Sequence, residues 1–300
     1  MTVKVLICDR IADEGIKIME TKGYEVTKCW DSPKTQLASM VADYDALIVR
    51  SATKVTAELL DSAKKLRVIG RAGEGLDNID LKKARSMGIE VVNTPHVAAI
   101  SVAELTMGHL LALARGIIEG TLSLREGKWI KEELMGVEVN GKTLGIVGCG
   151  SIGKTVERLA MALGMKVVGV DMCVYGRFVT LEEMLPQADF VTVHVPLTPQ
   201  TRHMISTKEF AMMKDGVMLV DCSRGGVVDE EALYEALISG KVRGAALDVF
   251  EEEPPKNNKL LKLKNVHATP HIGAQTFEAQ LKSSVLIAER VIEVLEKVVG

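Results

Sequence analysis

Short apolar runs and stretches of helical period alternate along the chain. Strand signals fall at 3–8 (VKVLIC), Tyr24–Lys28, 44–50 (YDALIVR), 66–73 (LRVIGRAG) and 90–93 (EVVN), most of them brief apolar runs without a polar alternation. Runs of this kind suit parallel strands buried on both faces. Helical signals separate them: one stretch ends at Met19, and others cover 56–65 and 81–88. Repeated β–α units predict a doubly wound parallel sheet. Residues 1–96 therefore read as a complete small α/β domain.

The next segment, 101–127 (SVAELTMGHLLALARGIIEGTLSLREG), predicts one long helix. Its apolar residues, among them Val102, Leu105, Leu110, Leu113, Ile117 and Ile118, run almost all the way round. Such a helix is expected to be buried on most sides. A second βα series then supplies six strand candidates at 143–148, 166–171, 190–195, 217–222, 242–248 and 265–269. Six is the strand count of a full dinucleotide-binding sheet. The closing segment predicts one amphipathic helix with a stripe at Phe277, Leu281, Val285, Ala288, Ile292 and Leu295. With the second sheet complete, that stripe is expected to cross back onto the first domain. The organisation is thus α/β with two doubly wound parallel-sheet domains. Residues 97–275 form a Rossmann domain inserted into a flavodoxin-like domain built from 1–96 and 276–300.

Composition narrows the class. The chain has 300 residues, 47% hydrophobic and only 4% aromatic, which favours aliphatic α/β layers over an aromatic-rich sandwich. A net charge of −3 is too balanced to predict a nucleic-acid partner. No apolar run approaches the length of a membrane span, and the N-terminal run is too short for a signal peptide. Five scattered cysteines, with no metal-ligand spacing, read as reduced buried thiols of a cytoplasmic protein; no metal is expected.

The stretch TLGIVGCGSIGKTVERLA (143–160) carries the first candidate chemistry. A glycine triplet of this kind is a weak signal alone. Here a strand precedes it, a helix follows it, and a second strand ends in Asp171. Gly148 would make the tight turn, Gly150 would admit a pyrophosphate close to the backbone, and Gly153 would pack helix on strand. The free N–H groups near Ser151 and Ile152 attract the anion. Asp171, about 20 residues on, suits a ribose 2′-hydroxyl and repels a 2′-phosphate, so NAD is expected rather than NADP.

Ligands of open α/β sheets lie outside the carboxyl ends of the strands. Three neighbouring strand candidates end in LVDCSRGG, ALDVFEEEPP and ATPHIGA, and offer Arg224, then Asp248 with Glu251 to Glu253, then His271. Hydride exchange with a hydroxy acid needs these types. Arginine clamps a carboxylate and polarises a carbonyl, histidine carries the hydroxyl proton, and a carboxylate orients and charges the ring. Taken singly, each is more often a surface or turn residue; at one rim the combination points to chemistry.

With these motifs in place, the chain resembles the D-isomer-specific 2-hydroxyacid dehydrogenases, and within them the branch that oxidises 3-phosphoglycerate. The matching phrases include VRSATKVTAELL (49–60), VIGRAGEGLDNIDL (68–81), HVPLTPQT (194–201), SRGGVVDEEAL (223–233), GAALDVFEEEPP (244–255) and TPHIGAQT (269–276). The resemblance implies Arg224, Glu253 and His271 as the catalytic set, and it is what selects Glu253 from the acidic run. It places Val195, Pro196, Cys222, Ser223, Arg224, Asp248, His271, Gly273 and Ala274 along the cofactor. It also implies substrate contacts from Arg50, Ser51, Arg71, Ala72 and Gly73, the two arginines taking a distal phosphate. Lys131 is a further candidate cation, with a surface role the favoured reading. The implied partners are a small 2-hydroxy or 2-keto acid and a second copy of the chain, giving a homodimer around 101–127. Glu74 departs from the small polar residue common in the family. Larger members append regulatory domains after the closing helix, and none is expected to act here. Glyoxylate or hydroxypyruvate reductases share the catalytic set, formate dehydrogenases are disfavoured by the acid–base pair, and NAD-sensing corepressors offer a non-enzymatic alternative.

Overall fold

A computed structural model of the protein describes residues 2–170 and 177–299. In chain order the first elements are β1 (Lys4–Ile7), α1 (Asp13–Thr21), β2 (Glu25–Lys28), α2 (Leu37–Met40), β3 (Ala46–Val49), α3 (Ala57–Ser62), β4 (Val68–Arg71), α4 (Leu81–Ser86) and β5 (Glu90–Asn93). Then come α5 (Ala99–Arg115), α6 (Ile117–Arg125), β6 (Thr143–Val147), α7 (Ser151–Ala162), β7 (Lys166–Val170) and β8 (Arg177–Phe178). The chain continues through α8 (Leu181–Met184), β9 (Phe190–Val193), α9 (Thr207–Met212), β10 (Val217–Asp221), α10 (Glu230–Ile238), β11 (Val242–Leu247), β12 (Val266–Ala268) and α11 (Phe277–Val299). It divides into two units, Met1–Ala98 with Ala274–Gly300, and Ala99–Gly273.

The first unit holds a parallel five-stranded sheet in the order β2-β1-β3-β4-β5. Every residue of β3 is buried, as a strand covered by helices on both faces requires. Thr56 and Asp80 cap α3 and α4 through the N–H groups of Leu59 and Lys83. The crossing-back helix α11 packs on α1, β4 and β5. Its buried line differs from the predicted stripe. Phe277 and Leu281 are exposed, while Ala279, Ser283, Ser284, Ile287, Ala288, Val291, Val294 and Leu295 are buried. The two serines are tolerated inside because their hydroxyls are satisfied: Ser283 Oγ lies 2.8 Å from Thr94 Oγ1, and Ser284 Oγ accepts the Ala12 N–H at 2.8 Å.

The second unit holds a parallel sheet in the order β12-β11-β10-β9-β6-β7-β8. Numbered from β6, the strands run 3-2-1-4-5-6 from β8 to β11, the dinucleotide-binding order, with β12 added beyond; two-residue β8, the third strand of that order, was not among the six predicted. The single helix expected at 101–127 is two. Gly116 adopts the left-handed conformation (φ 59°), and α5 and α6 meet at a bend of 66°. Helix α5 is largely buried, but Ile117, Leu122 and Leu124 of α6 are exposed, contrary to the expected burial. Among the described residues no single helix is long and apolar enough to cross a membrane. Cys8, Cys29 and Cys222 are free buried thiols.

Candidate active site

Strands β10, β11 and β12 are neighbours, so the segments that follow them leave one rim of the sheet together. They carry Arg224, Glu253 and His271. His271 Nδ1 lies 2.8 Å from Glu253 Oε2, and Glu253 Oε1 accepts the Phe250 N–H at 3.2 Å. Burial pushes the Glu253 carboxyl upward. The hydrogen bond and charge of His271, the Phe250 N–H and the Arg224 charge outweigh it, and the net shift is downward. Glu253 is therefore an acceptor, and the shared proton sits on His271 Nδ1. The His271 side chain is 40% exposed, which leaves its ring accessible to a ligand. Arg224 donates from Nη1 to the Ser223 carbonyl at 2.7 Å.

Asp248, at the end of β11, is buried and fully engaged. It accepts from Thr269 Oγ1 at 2.6 Å and from the N–H groups of Ile272 and Gly273 at 2.8 Å each. Its visible work is to fix the loop that carries His271. Thr269 Oγ1, committed as a donor to Asp248, also lies 3.1 Å from His109 Nε2, so it accepts from that ring. Burial lowers the His109 pKa and favours the neutral ring, although Asp248 pulls the other way. Asp221 ends β10 and holds Ser223 by two hydrogen bonds, 2.8 Å from N–H and 2.6 Å from Oγ. Sequence reasoning missed Asp221, Thr269 and His109 as supports of the site. An acid closing the apolar run VMLVD was a visible signal for the first.

Gly148 follows β6 with φ 94°, and a side chain there would stand 2.6 Å from the His194 carbonyl oxygen. Gly150 is the N-cap of α7, where an added Cβ would have no neighbour within 4 Å. No acidic residue occupies the first turn of α7, and Gly150 caps it without a side-chain bond. At Gly153 an added Cβ would collide with the Gly148 carbonyl, so helix and turn are in close contact. Ser151 and Ile152 begin α7, and Val195 and Pro196 follow β9, with Val195 beside the turn. Cys222 is buried, and burial pushes its thiol upward. Asp171 lies outside the described residues. Ala274 falls in the first unit, where its carbonyl accepts from Gln280 Nε2 at 2.7 Å.

The first unit gathers its own polar rim. Register pairs Val49 with Arg71, so Arg50 and Arg71 leave neighbouring strand ends. Buried Asp9, after β1, accepts the Arg50 N–H at 2.6 Å, the Thr53 N–H at 3.1 Å and Thr53 Oγ1 at 2.8 Å. The Arg50 guanidinium donates to Gln275 Oε1 at 2.8 Å and to the Arg10 carbonyl at 3.4 Å, both neutral acceptors. Ala72 bonds back to the Val49 carbonyl, Ser51 is exposed, and Gly73, at φ 149°, lies under the Arg71 guanidinium. Glu74 points its carboxylate to within 3.9 Å of His96 Nδ1. Lys131, in the second unit, is exposed.

Residues 107–273 match the family model of the D-isomer specific 2-hydroxyacid dehydrogenase NAD-binding domain. The chain belongs to the D-isomer-specific 2-hydroxyacid dehydrogenase family. It is 48% identical, over 98% of its length, to a D-3-phosphoglycerate dehydrogenase of Methanocaldococcus jannaschii, of which it spans 57%. It is 50% identical to a hydroxypyruvate reductase of Thermotoga maritima, over 97% of this chain and 98% of that one. A crystal structure of a Thermus thermophilus protein superposes with a TM-score of 0.91 at 37% identity, covering 98% of this chain and 97% of the other.

The chain carries the NAD-binding domain of this family, and the turn before α7 fits the dinucleotide. Open space at Gly150, uncapped N–H groups and the absence of a first-turn acid suit a pyrophosphate. Beside the turn, His194 Nδ1 is buried without a protein hydrogen-bond partner, and burial lowers that ring's pKa to about 3.

Proposed function

We propose that the chain interconverts D-3-phosphoglycerate and 3-phosphohydroxypyruvate with NAD, the oxidative direction opening serine biosynthesis in the cytoplasm. The observation that carries this reading is the pair of guanidinium groups at the neighbouring ends of β3 and β4. The substrate carboxylate claims Arg224. Arg50 and Arg71 are then surplus unless the substrate carries a second, more highly charged group. Arginine forks suit a phosphate. The Arg50 guanidinium donates to neutral acceptors, with the Asp9 carboxylate the charge that acts on it, and Glu74 faces His96.

In this reading the Ala99–Gly273 unit is the cofactor domain and the other unit the substrate domain. Bound NAD supplies the hydride acceptor, or NADH the donor. Gly148, Gly150, Ser151, Ile152 and Gly153 hold the pyrophosphate, and Asp171 the ribose. His271 points Nδ1–H at Glu253, which leaves Nε2 to take the substrate hydroxyl proton and to return it in reduction. Glu253 stabilises the imidazolium. Arg224 holds the carboxylate and polarises the carbonyl.

A second reading has its own support. The hydroxypyruvate reductase relative is matched over nearly all of both chains, whereas the phosphoglycerate dehydrogenase relative is spanned for little more than half. A kcat/KM panel on 3-phosphohydroxypyruvate, hydroxypyruvate and glyoxylate separates the two. The proposal expects the phosphorylated acid to lead; a lead for either of the others overturns it. Exposed Ile117, Leu122, Leu124, Trp129 and Met135 support a homodimer built on α6, which sedimentation would detect.

A further inference from the structure

Asp221 stands apart from the residues assigned so far. It is a charged residue at the end of a wholly buried strand, only 2% exposed, directly before the loop that carries Arg224. A buried acid is costly unless its oxygens are satisfied. Its Oδ1 takes both donors of Ser223, N–H at 2.8 Å and Oγ–H at 2.6 Å. Ser223 is itself buried, so these bonds fix the peptide that follows it. The carbonyl of that peptide accepts Arg224 Nη1 at 2.7 Å. The contacts form one chain: strand end, carboxylate, serine, carbonyl, guanidinium.

We propose that Asp221 is a positioning residue for the reaction, fixing Ser223 and through it the Arg224 guanidinium that receives the substrate carboxylate. The charged groups that act on Asp221 are Arg224 on the same loop and Asp248 at the end of the neighbouring strand β11. Asp248 is committed to the His271 loop, so the two buried acids divide the site. One orients the proton carrier's loop and the other orients the carboxylate clamp. The inference rests on the reading that Arg224 binds the substrate carboxylate.

The test compares Asp221→Ala, Asp221→Leu, Asp221→Asn and Arg224→Lys in the full chain. The readouts are KM and kcat for hydroxypyruvate, NADH affinity by fluorescence, and a thermal melt. Hydroxypyruvate carries no phosphate, so its ionisation stays constant from about pH 5 to 8. Ala and Leu remove the acceptor and should raise KM about tenfold or more, with NADH affinity within about twofold. Leu keeps the volume without burying a charge, which secures the comparison if the Ala variant does not fold. Asn retains an acceptor oxygen and should hold KM within about threefold of the parent. A purely structural role predicts instead that NADH affinity and KM worsen together in all three. If Arg224→Lys leaves KM unchanged, the Arg224 reading fails. If Arg224→Lys raises KM while Asp221→Leu does not, the positioning role of Asp221 is overturned.

Discussion

The two sheet rims are built on the same architecture and do different things with it. Both sheets are parallel and doubly wound, and both put polar residues at the carboxyl ends of buried strands. In the second unit the acids of the rim have partners: Glu253 Oε2 lies 2.8 Å from His271 Nδ1, and Asp221 and Asp248 each consume hydrogen-bond donors from the loops beside them. In the first unit the buried acid Asp9 spends its oxygens on the backbone of Arg50 and on Thr53 and acts on the Arg50 charge from there, while the Arg50 guanidinium donates to two neutral acceptors. A rim of compensated charges suits proton transfer, because the pair holds a ring in one tautomer. A rim that places two guanidinium groups at neighbouring strand ends suits recognition of an anion. The contrast teaches that the strand-end rule locates a site, while the partners of each charge indicate its task.

The comparison breaks most visibly at the compensated pair. His271→Ala should lower kcat by roughly 10²–10⁴ while leaving NADH affinity near the parent value. Glu253→Gln should be milder. Single-turnover kinetics check both, and near-normal turnover in His271→Ala would remove the ring from the mechanism. Next comes the glycine turn, which has no counterpart in the first unit. Gly148→Ala must accept φ 94° and a Cβ 2.6 Å from the His194 carbonyl oxygen. A loss of about 1–2 kcal/mol or more in stability is expected, with weaker NADH binding. Thermal melts with and without NADH measure it.

A pH-dependent effect lies in Asp221. Burial raises its pKa from 3.8 to about 6, against the Ser223 bonds and the Arg224 charge, with Asp248 adding to the rise. Because the folded value lies above the unfolded one, the folded state binds the proton more tightly. That contribution is complete below about pH 4 and is lost as pH climbs to about 6. Asp221→Asn should therefore gain stability relative to the parent over that interval, by up to about 3 kcal/mol. Melts at the two ends of the interval check the sign; a gain that shrinks with pH would contradict it.

Much of this molecule was legible in its sequence for physical reasons. Parallel strands buried on both faces announce themselves as unbroken apolar runs, as in ALIV of β3 and VMLVD of β10. Other features were hidden by the same apolar signal. Continuity across 101–127 concealed the left-handed Gly116 that splits α5 from α6. On α11 the stripe through Phe277 and Leu281 looked like the core face. The buried face instead includes Ser283 and Ser284, whose partners Thr94 and Ala12 lie far away in sequence. Glu253 could not be separated from Glu251 and Glu252 by spacing alone, and the resemblance to the family made that choice. In the structure, Glu251 Oε1 lies 3.0 Å from His203 Nε2, while Glu253 lies against His271. Asp221 went unread because its importance lies in Ser223 and Arg224, not in its own exposure.

The central claim is that Arg50 and Arg71, at the ends of neighbouring strands of the first unit, recognise a distal phosphate. The most direct measurement is KM for Arg50→Ala and Arg71→Ala on 3-phosphohydroxypyruvate and, side by side, on glyoxylate, which has no distal group. The account predicts a rise of about tenfold or more, on the order of 1.4 kcal/mol, for the phosphorylated acid and a much smaller change for glyoxylate. Equal losses on both substrates would contradict it: the two arginines would then serve the shared carboxylate or the fold, and the hydroxypyruvate or glyoxylate reductase reading would take precedence.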